Sequence, residues 1–396
     1  MSRQIYNPSG QKRILVAASM NAGAEAVSPV AKKLNGMHNN KVYVLSHKAG
    51  IVSFKGMKID PMHLQKVSMK DCENAFNAFG PTSLLTGTQV QDKEGELTFE
   101  QMLWRVARDR GIKSIAVMDT WENHTERFSD LKPLNDGNKL TVRKGSELVH
   151  LPDKIAVLDE FAKKQMLEEG FEPGIIEVTG SPYYEHVLKE AENLAPATRK
   201  QFLERPIFSG FSKDAKTIVF MSDNIEGFYP DIGFTEKSVL QSFLKTVDGI
   251  AKQTGMKLNI IVRPHPFRNE NAKGAYECET NNIVKVFHNP ITAKGFDPDN
   301  FYSMEELLYS VDLVVGTFNN PLITAKLMGK PVISYQPNLN EEYNFQYYLH
   351  EQGLVTKVTE EKTLGEAVTG LLNGGIVQRT MEAARGATDR IIELLK

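Results

Sequence analysis

The chain has 396 residues, 41% hydrophobic and 24% charged, with a formal net charge of −2. That length exceeds one compact core and implies two domains of about 150–200 residues each. The near-neutral charge leaves no basic excess to hold a long nucleic acid. Two cysteines, Cys72 and Cys278, stand far apart and form no CxxC pair; this argues against a disulfide framework and suits a reducing cytosol. The first ten residues are polar, without a signal-peptide core, and no apolar run reaches the roughly 18 residues of a membrane span. A cytoplasmic protein is expected, with room for a peripheral contact at the inner face of the membrane.

Short β-rich runs alternate with helical stretches, the pattern of parallel sheets covered by helices. The first strand is predicted at 13–18, followed by a small-residue loop at 21–24 and a helix to residue 34. Further strands are predicted at 42–45, 84–86, 115–118, 155–158 and 175–178, with a helix at 160–169. Residues 193–214 are polar, contain Pro196 and Pro206, and read as an inter-domain connection. The pattern restarts at 217–221 and continues at 258–262, 283–287, 313–315 and 332–335. An amphipathic helix at 378–396 carries Met381, Ala384, Ile391, Ile392 and Leu395 on its apolar positions. The expected fold is α/β: two doubly wound, Rossmann-like parallel-sheet domains, 1–192 and 215–377, facing a cleft. In such sheets ligands bind beyond the carboxyl ends of the strands.

Three constellations fall at those ends. Arg263-Pro264-His265-Pro266 follows an almost purely apolar strand. The two prolines stiffen the backbone around His265, and Arg263 adds a fixed cation, a combination suited to a phosphate oxygen. A rigid turn with a surface Arg and His would leave the same sequence. Gly316-Thr317-Phe318-Asn319-Asn320-Pro321 ends a strand and should start a helix, with Asn320 as cap and Pro321 as first helical residue. The free N–H groups there form an anion site, to which Thr317 and Asn319 can add side-chain donors; the bland alternative is a well-capped helix. Asp119-Thr120-Trp121-Glu122-Asn123-His124-Thr125-Glu126-Arg127 packs acids, an aromatic, a histidine and an arginine after a third strand. Asp119 is the first choice for a general base, with Glu122 and His124 behind it. Trp121 would raise its pKa and Arg127 would lower it.

Weaker signals are structural in the first instance. The loop at 21–24 lacks a full GxGxxG. Thr179-Gly180-Ser181-Pro182 ends a strand with a cap and a first-turn proline, and Ser303 with Glu306 matches a capping box. There is no Walker loop, HExxH, GxSxG or zinc spacing, so no metal is expected.

The order of these features resembles the GT-B superfamily of nucleotide-sugar enzymes, over nearly the whole chain. That group includes glycosyltransferases, non-hydrolysing UDP-N-acetylglucosamine 2-epimerases and CDP-glycerol polymer transferases. Val178-Thr179-Gly180-Ser181-Pro182 is similar to the VTGxP stretch closing the first domain, and Arg263-Pro264-His265-Pro266 to the HP motif whose histidine faces donor phosphate. The stretch from Gly316 to Pro331 resembles the phosphate loop and its helix, with Asn319-Asn320 in place of Ser/Thr pairs and Thr324 in place of the ribose-gripping Glu. The resemblance implies that helix 378–396 crosses back onto the first domain. It implies a donor site of Arg263, His265, Gly316, Thr317, Asn319, Asn320 and Thr324, taking a UDP or CMP/CDP sugar as substrate, without metal or cofactor. The expected reaction is transfer of the sugar to a glycan or lipid-linked acceptor hydroxyl in surface polysaccharide or glycolipid synthesis. Epimerisation or hydrolysis of a nucleotide sugar is the alternative, and a catalytically inactive binding protein the next.

Overall fold

The computed structural model describes residues 11–133, 140–141, 147–228, 231–263, 284–288, 303–340, 347–374 and 384–396. The chain divides into two compact units: Met1–His186 with Met381–Lys396, and Val187–Thr380.

The strands of the first unit are β1 (Lys12–Ala18), β2 (Asn40–Ser46), β3 (Met62–His63), β4 (Ser83–Thr86), β5 (Lys113–Val117), β6 (Lys132–Pro133), β7 (Leu140–Thr141), β8 (Lys154–Val157) and β9 (Ile176–Val178). Seven of them form one sheet in the order β3-β2-β1-β4-β5-β8-β9, and β6 with β7 makes a separate pair. Every pairing in the seven-stranded sheet is parallel. Central β1 is buried from Ile14 to Ala18, the near-continuous apolar run of a strand covered on both faces. The sheet winds outward from β1 through β2 to β3, then restarts at β4, so β1 and β4 flank the switch point where such sheets bind ligands.

The second unit repeats the plan. Its strands are β10 (Lys216–Met221), β11 (Leu258–Arg263), β12 (Val284–His288), β13 (Leu313–Gly316), β14 (Val332–Tyr335) and β15 (Thr356–Val358), in the order β12-β11-β10-β13-β14-β15. All pairings are parallel, and the switch point lies between β10 and β13. The alternation read from the sequence is therefore a pair of parallel α/β sheets.

Three details depart from expectation. Residues 21–24 are not a loop: the helix Asn21–Asn35 begins at Asn21, after Met20, whose side chain makes no cap hydrogen bond. The polar stretch 193–214 holds a helix, Pro196–Leu203, and a 3-10 turn, Pro206–Phe208. Its Phe202 and Phe208 are buried in the core of the second unit against Val219, Ile261 and Leu308. The cap of the helix Asn320–Leu327 is Asn319, one residue earlier than expected, because Pro321 takes the second helical position. At the far end, the helix Ala387–Leu394 buries Ile391 and Ile392 in the core of the first unit with Ile14, Val16 and Val27; Met381 lies outside the described residues.

Candidate functional site

In the second unit, β10 and β13 end side by side, with Met221 paired to Gly316. A Cβ on Gly316 would stand 3.1 Å from Met221 O and 3.0 Å from the Leu322 side chain, so glycine is what admits this approach. Beyond the strand ends lies a dense polar cluster around Asp223, which is 7% exposed. Its Oδ2 accepts the Thr317 hydroxyl, the Phe318 N–H at 3.3 Å and an Asn319 amide N–H at 3.1 Å. Asn319 also donates to Met221 O at 3.1 Å. The Thr317 carbonyl is gripped from behind by the Ser334 hydroxyl and by Gln336 Nε2 at 3.1 Å. Burial pushes the Asp223 carboxyl up to about 6 against the pull of these donors. Close by, Glu236 accepts the N–H groups of Ile225 at 2.9 Å and Glu226 at 3.3 Å.

The expected donor residues separate in this setting. Gly316, Thr317, Asn319 and Asn320 do come together at the switch point, but the Thr317 and Asn319 side chains are aimed at Asp223. Thr324 is 3% exposed, on the buried side of its helix. Arg263 ends β11 and directs Nη1 to Met304 Sδ at 2.7 Å. His265 lies outside the described residues.

The switch point of the first unit is built on the same lines. Gly87 follows β4, and a Cβ there would sit 2.6 Å from the Gly23 Cα; the two glycines let the first helix meet the β4 loop backbone to backbone. Ser19, just past β1, gives its N–H and hydroxyl to Glu100 Oε1 at 2.8 and 2.7 Å, and its hydroxyl also meets Gln89. Glu100 is fully buried, and desolvation raises its pKa. A cavity of 490 Å³ opens beside this cluster, lined by His47, Lys48, Ser68, Gln89, Asp92 and Thr98 among others.

The Asp119 neighbourhood divides into separate contacts. Asp119 pairs with Arg127 at 3.0 Å, and Arg127 also donates to Thr88 at 2.7 Å. Of the two neighbours weighed from the sequence, the cation is the one that reaches the carboxylate. Trp121 turns its indole N–H to Asp159 at 2.7 Å. His124 is 1% exposed and bonds Glu169 at 2.8 Å through Nδ1. Burial raises the Glu169 carboxyl, but the His124 and Thr125 hydrogen bonds outweigh it and leave the pKa lowered. Glu122 is half-buried, its N–H on the Thr120 hydroxyl at 3.3 Å. Among the described residues no group of three or more His, Cys, Asp or Glu gathers to hold a metal, and no helix is long and apolar enough to cross a membrane.

Sequence reasoning missed Asp223, Glu236, Gln336 and Glu100. Asp223 stands two residues past the end of β10, at the kind of strand end where such sheets bind ligands. Glu100 carries no such signal, because Thr98-Phe99-Glu100-Gln101 reads as an ordinary capped helix start.

No family model matches the sequence, and no curated protein matches it. Solved structures match it in fold. UDP-GlcNAc 2-epimerase from Methanocaldococcus jannaschii is 14% identical and aligns over 97% of this chain and 99% of its own, with a TM-score of 0.66. The UDP-GlcNAc 2-epimerase from Neisseria meningitidis, solved with UDP-GlcNAc bound, is 13% identical over the same shares, with a TM-score of 0.65. MurG from Acinetobacter baumannii is 12% identical over 97% and 99%, at 0.52. At such identities the likeness is one of fold, and the fold is of the GT-B type that the motifs resemble.

Proposed function

We propose that this chain is an enzyme acting on a nucleotide-activated sugar, with the nucleotide phosphates held at the β10/β13 switch point of the second unit. The observation that carries this reading is the convergence there of a tight glycine strand end, a helix start at Asn320 and the hydrogen-bonding loop Thr317–Phe318–Asn319. Backbone N–H groups at such a helix start favour anions. The likeness to nucleotide-sugar enzymes of the same architecture supports it. Thr324, small and buried, offers no carboxylate to a ribose, which keeps a cytidine nucleotide beside a uridine one as the donor.

Two reactions fit that donor. Transfer to a glycan or lipid-linked acceptor, in cytoplasmic synthesis of surface polysaccharide or glycolipid precursors, needs a base for the acceptor hydroxyl. Asp119, expected for it, is engaged by Arg127, which weakens the transfer reading. Chemistry on the donor alone, epimerisation or hydrolysis, needs no acceptor base, and the higher TM-scores of the 2-epimerases favour it. A thermal-shift screen against UDP, CMP, CDP and GDP sugars tests the shared premise: a ligand at 100 times its Kd adds about 2.7 kcal/mol. A chain that none of them stabilises is not a nucleotide-sugar enzyme. Product analysis with the stabilising sugar alone then separates the reactions, since only epimerisation or hydrolysis proceeds without an acceptor. His265→Ala should weaken nucleotide binding by about 1.5–3 kcal/mol, as for a hydrogen bond to a charged group; unchanged affinity in calorimetry would remove His265 from the site.

A further inference from the structure

An anion-binding loop keeps its donors free for the anion. Here three donors of the loop, the Thr317 hydroxyl, the Phe318 N–H and the Asn319 amide, converge on one oxygen of Asp223. The protein's own carboxylate takes the hydrogen bonds that a phosphate oxygen would take. The arrangement is braced, since Ser334 and Gln336 hold the Thr317 carbonyl and Asn319 is tied to Met221. Two anions cannot share so dry a place without repulsion, and a proton on the carboxyl removes one of them.

We propose that Asp223 is the residue that sets the terms of nucleotide binding: it competes with the nucleotide phosphate for the β13 loop, so that each nucleotide sugar bound brings one proton from solvent onto Asp223. This rests on the phosphate-site reading given above. Burial, with a smaller contribution from the Glu236 charge, places the Asp223 pKa at about 6 in the free protein, so the exchange falls within an ordinary pH range. Of the charged groups on the described elements around it, Glu236 is the one whose charge acts on Asp223; Glu226 stands in the helix Ile225–Phe228, Arg263 directs Nη1 to Met304, and Lys326 lies in the last turn of the helix Asn320–Leu327. Glu236 is held by backbone N–H groups.

The test is calorimetric titration of UDP-GlcNAc and of a CMP-sugar, whose phosphates do not titrate near neutrality, into the full chain at pH 5.5 and 7.5. Two buffers of different ionisation enthalpy count the protons. With a pKa of about 6, roughly three quarters of Asp223 is protonated at pH 5.5 and about 3% at pH 7.5, so affinity should fall about 25-fold between them. Uptake of nearly one proton should accompany binding at pH 7.5. Asp223→Asn should bind at both pH values as the unchanged protein binds at pH 5.5, without proton uptake. A pH slope that survives in Asp223→Asn belongs to another group and overturns the proposal; so does binding by the unchanged protein that ignores pH. Should Asp223→Asn not fold, Thr317→Val keeps the acid but strips a donor from its anion. The midpoint of the pH dependence should then move upward, and an unmoved midpoint is equally decisive against the idea. If neither protein binds any nucleotide sugar at either pH, the nucleotide-sugar reading fails and takes this proposal with it; binding without the proton linkage overturns the proposal alone.

Discussion

Asp223 and Glu100 are carboxylates buried at the two switch points, bonded by hydroxyl, amide and backbone donors. For Asp223 the consequence for stability follows from its pKa, which lies above the unfolded value of 3.8 at about 6. The folded state therefore binds protons more tightly than the unfolded one, and folding takes them up between about pH 4 and 6. Stability is lost as pH rises through that window, and the penalty is complete above it. Asp223→Asn should raise the unfolding free energy at pH 7.5 by about 1–3 kcal/mol, and the gain should fade to nothing near pH 4. Urea titrations at several pH values measure this. A variant less stable than the parent at pH 7.5 would mean that the ionic hydrogen bonds outweigh burial. Cys72 makes a simpler case. Its thiol is pushed up to about 12, chiefly by burial and then by Asp71, so little thiolate exists at pH 8. Mass mapping after iodoacetamide treatment should find Cys72 modified only in denaturant.

At the scale of elements, glycines decide how closely the switch points assemble. Gly87→Ala drives a Cβ to 2.6 Å from the Gly23 Cα and 2.8 Å from its carbonyl carbon. Both are backbone atoms that cannot turn aside, so the cost should be about 1–3 kcal/mol or more. Gly249 is the contrast: it lies inside the helix Glu236–Thr254 and a Cβ there meets nothing within 4 Å. Gly249→Ala should stabilise by about 0.5–1 kcal/mol. Melting curves of the two variants should move in opposite directions. The same scale shows what the sequence reveals. The strands were legible because buried parallel strands are apolar runs, as at β1 and β10. The start of the helix Asn21–Asn35 was not, because Met20 gives no capping signal. Residues 193–214 read as a linker because polar residues predominate there over Phe202 and Phe208, which with Leu203 and Ile207 hold the stretch to the core. The edge strands β3 and β15 are only two and three residues long, too short for periodicity to register. For the site, sequence showed which strand ends to inspect and brought Gly316, Thr317, Asn319 and Asn320 forward. That Thr317 and Asn319 turn inward to an acid 94 and 96 positions earlier in the chain is a property of the fold.

For the molecule as a whole, the first unit is made of two separate lengths of chain. Its last helix buries Ile391, Ile392 and Leu395 among Ile14, Val27 and Leu34. Glu185 fastens the approach to that helix by accepting the N–H groups of Gly386 at 3.1 Å and Thr388 at 2.9 Å, and Arg390 donates to the Thr179 carbonyl at 2.8 Å. Three buried aliphatic side chains are worth roughly 5–9 kcal/mol, comparable to the whole stability of a domain. Removing residues 386–396 should therefore abolish or sharply lower the calorimetric transition of the first unit while the second unit, Val187–Thr380, still melts cooperatively. Loss of both transitions together would show that the two units do not fold separately.

That discontinuity also bears on how the protein is born. A ribosome releases the amino end first, and domains commonly fold in that order. Here the unit that begins before the other is completed after it. Residues 12–186 leave the ribosome with the place of Ile391 still open, and they must wait while more than two hundred further residues are translated. The second unit is contiguous and has no such wait. A premature stop at codon 386 would thus damage a unit most of which is already made, and chaperone dependence during synthesis should concentrate there.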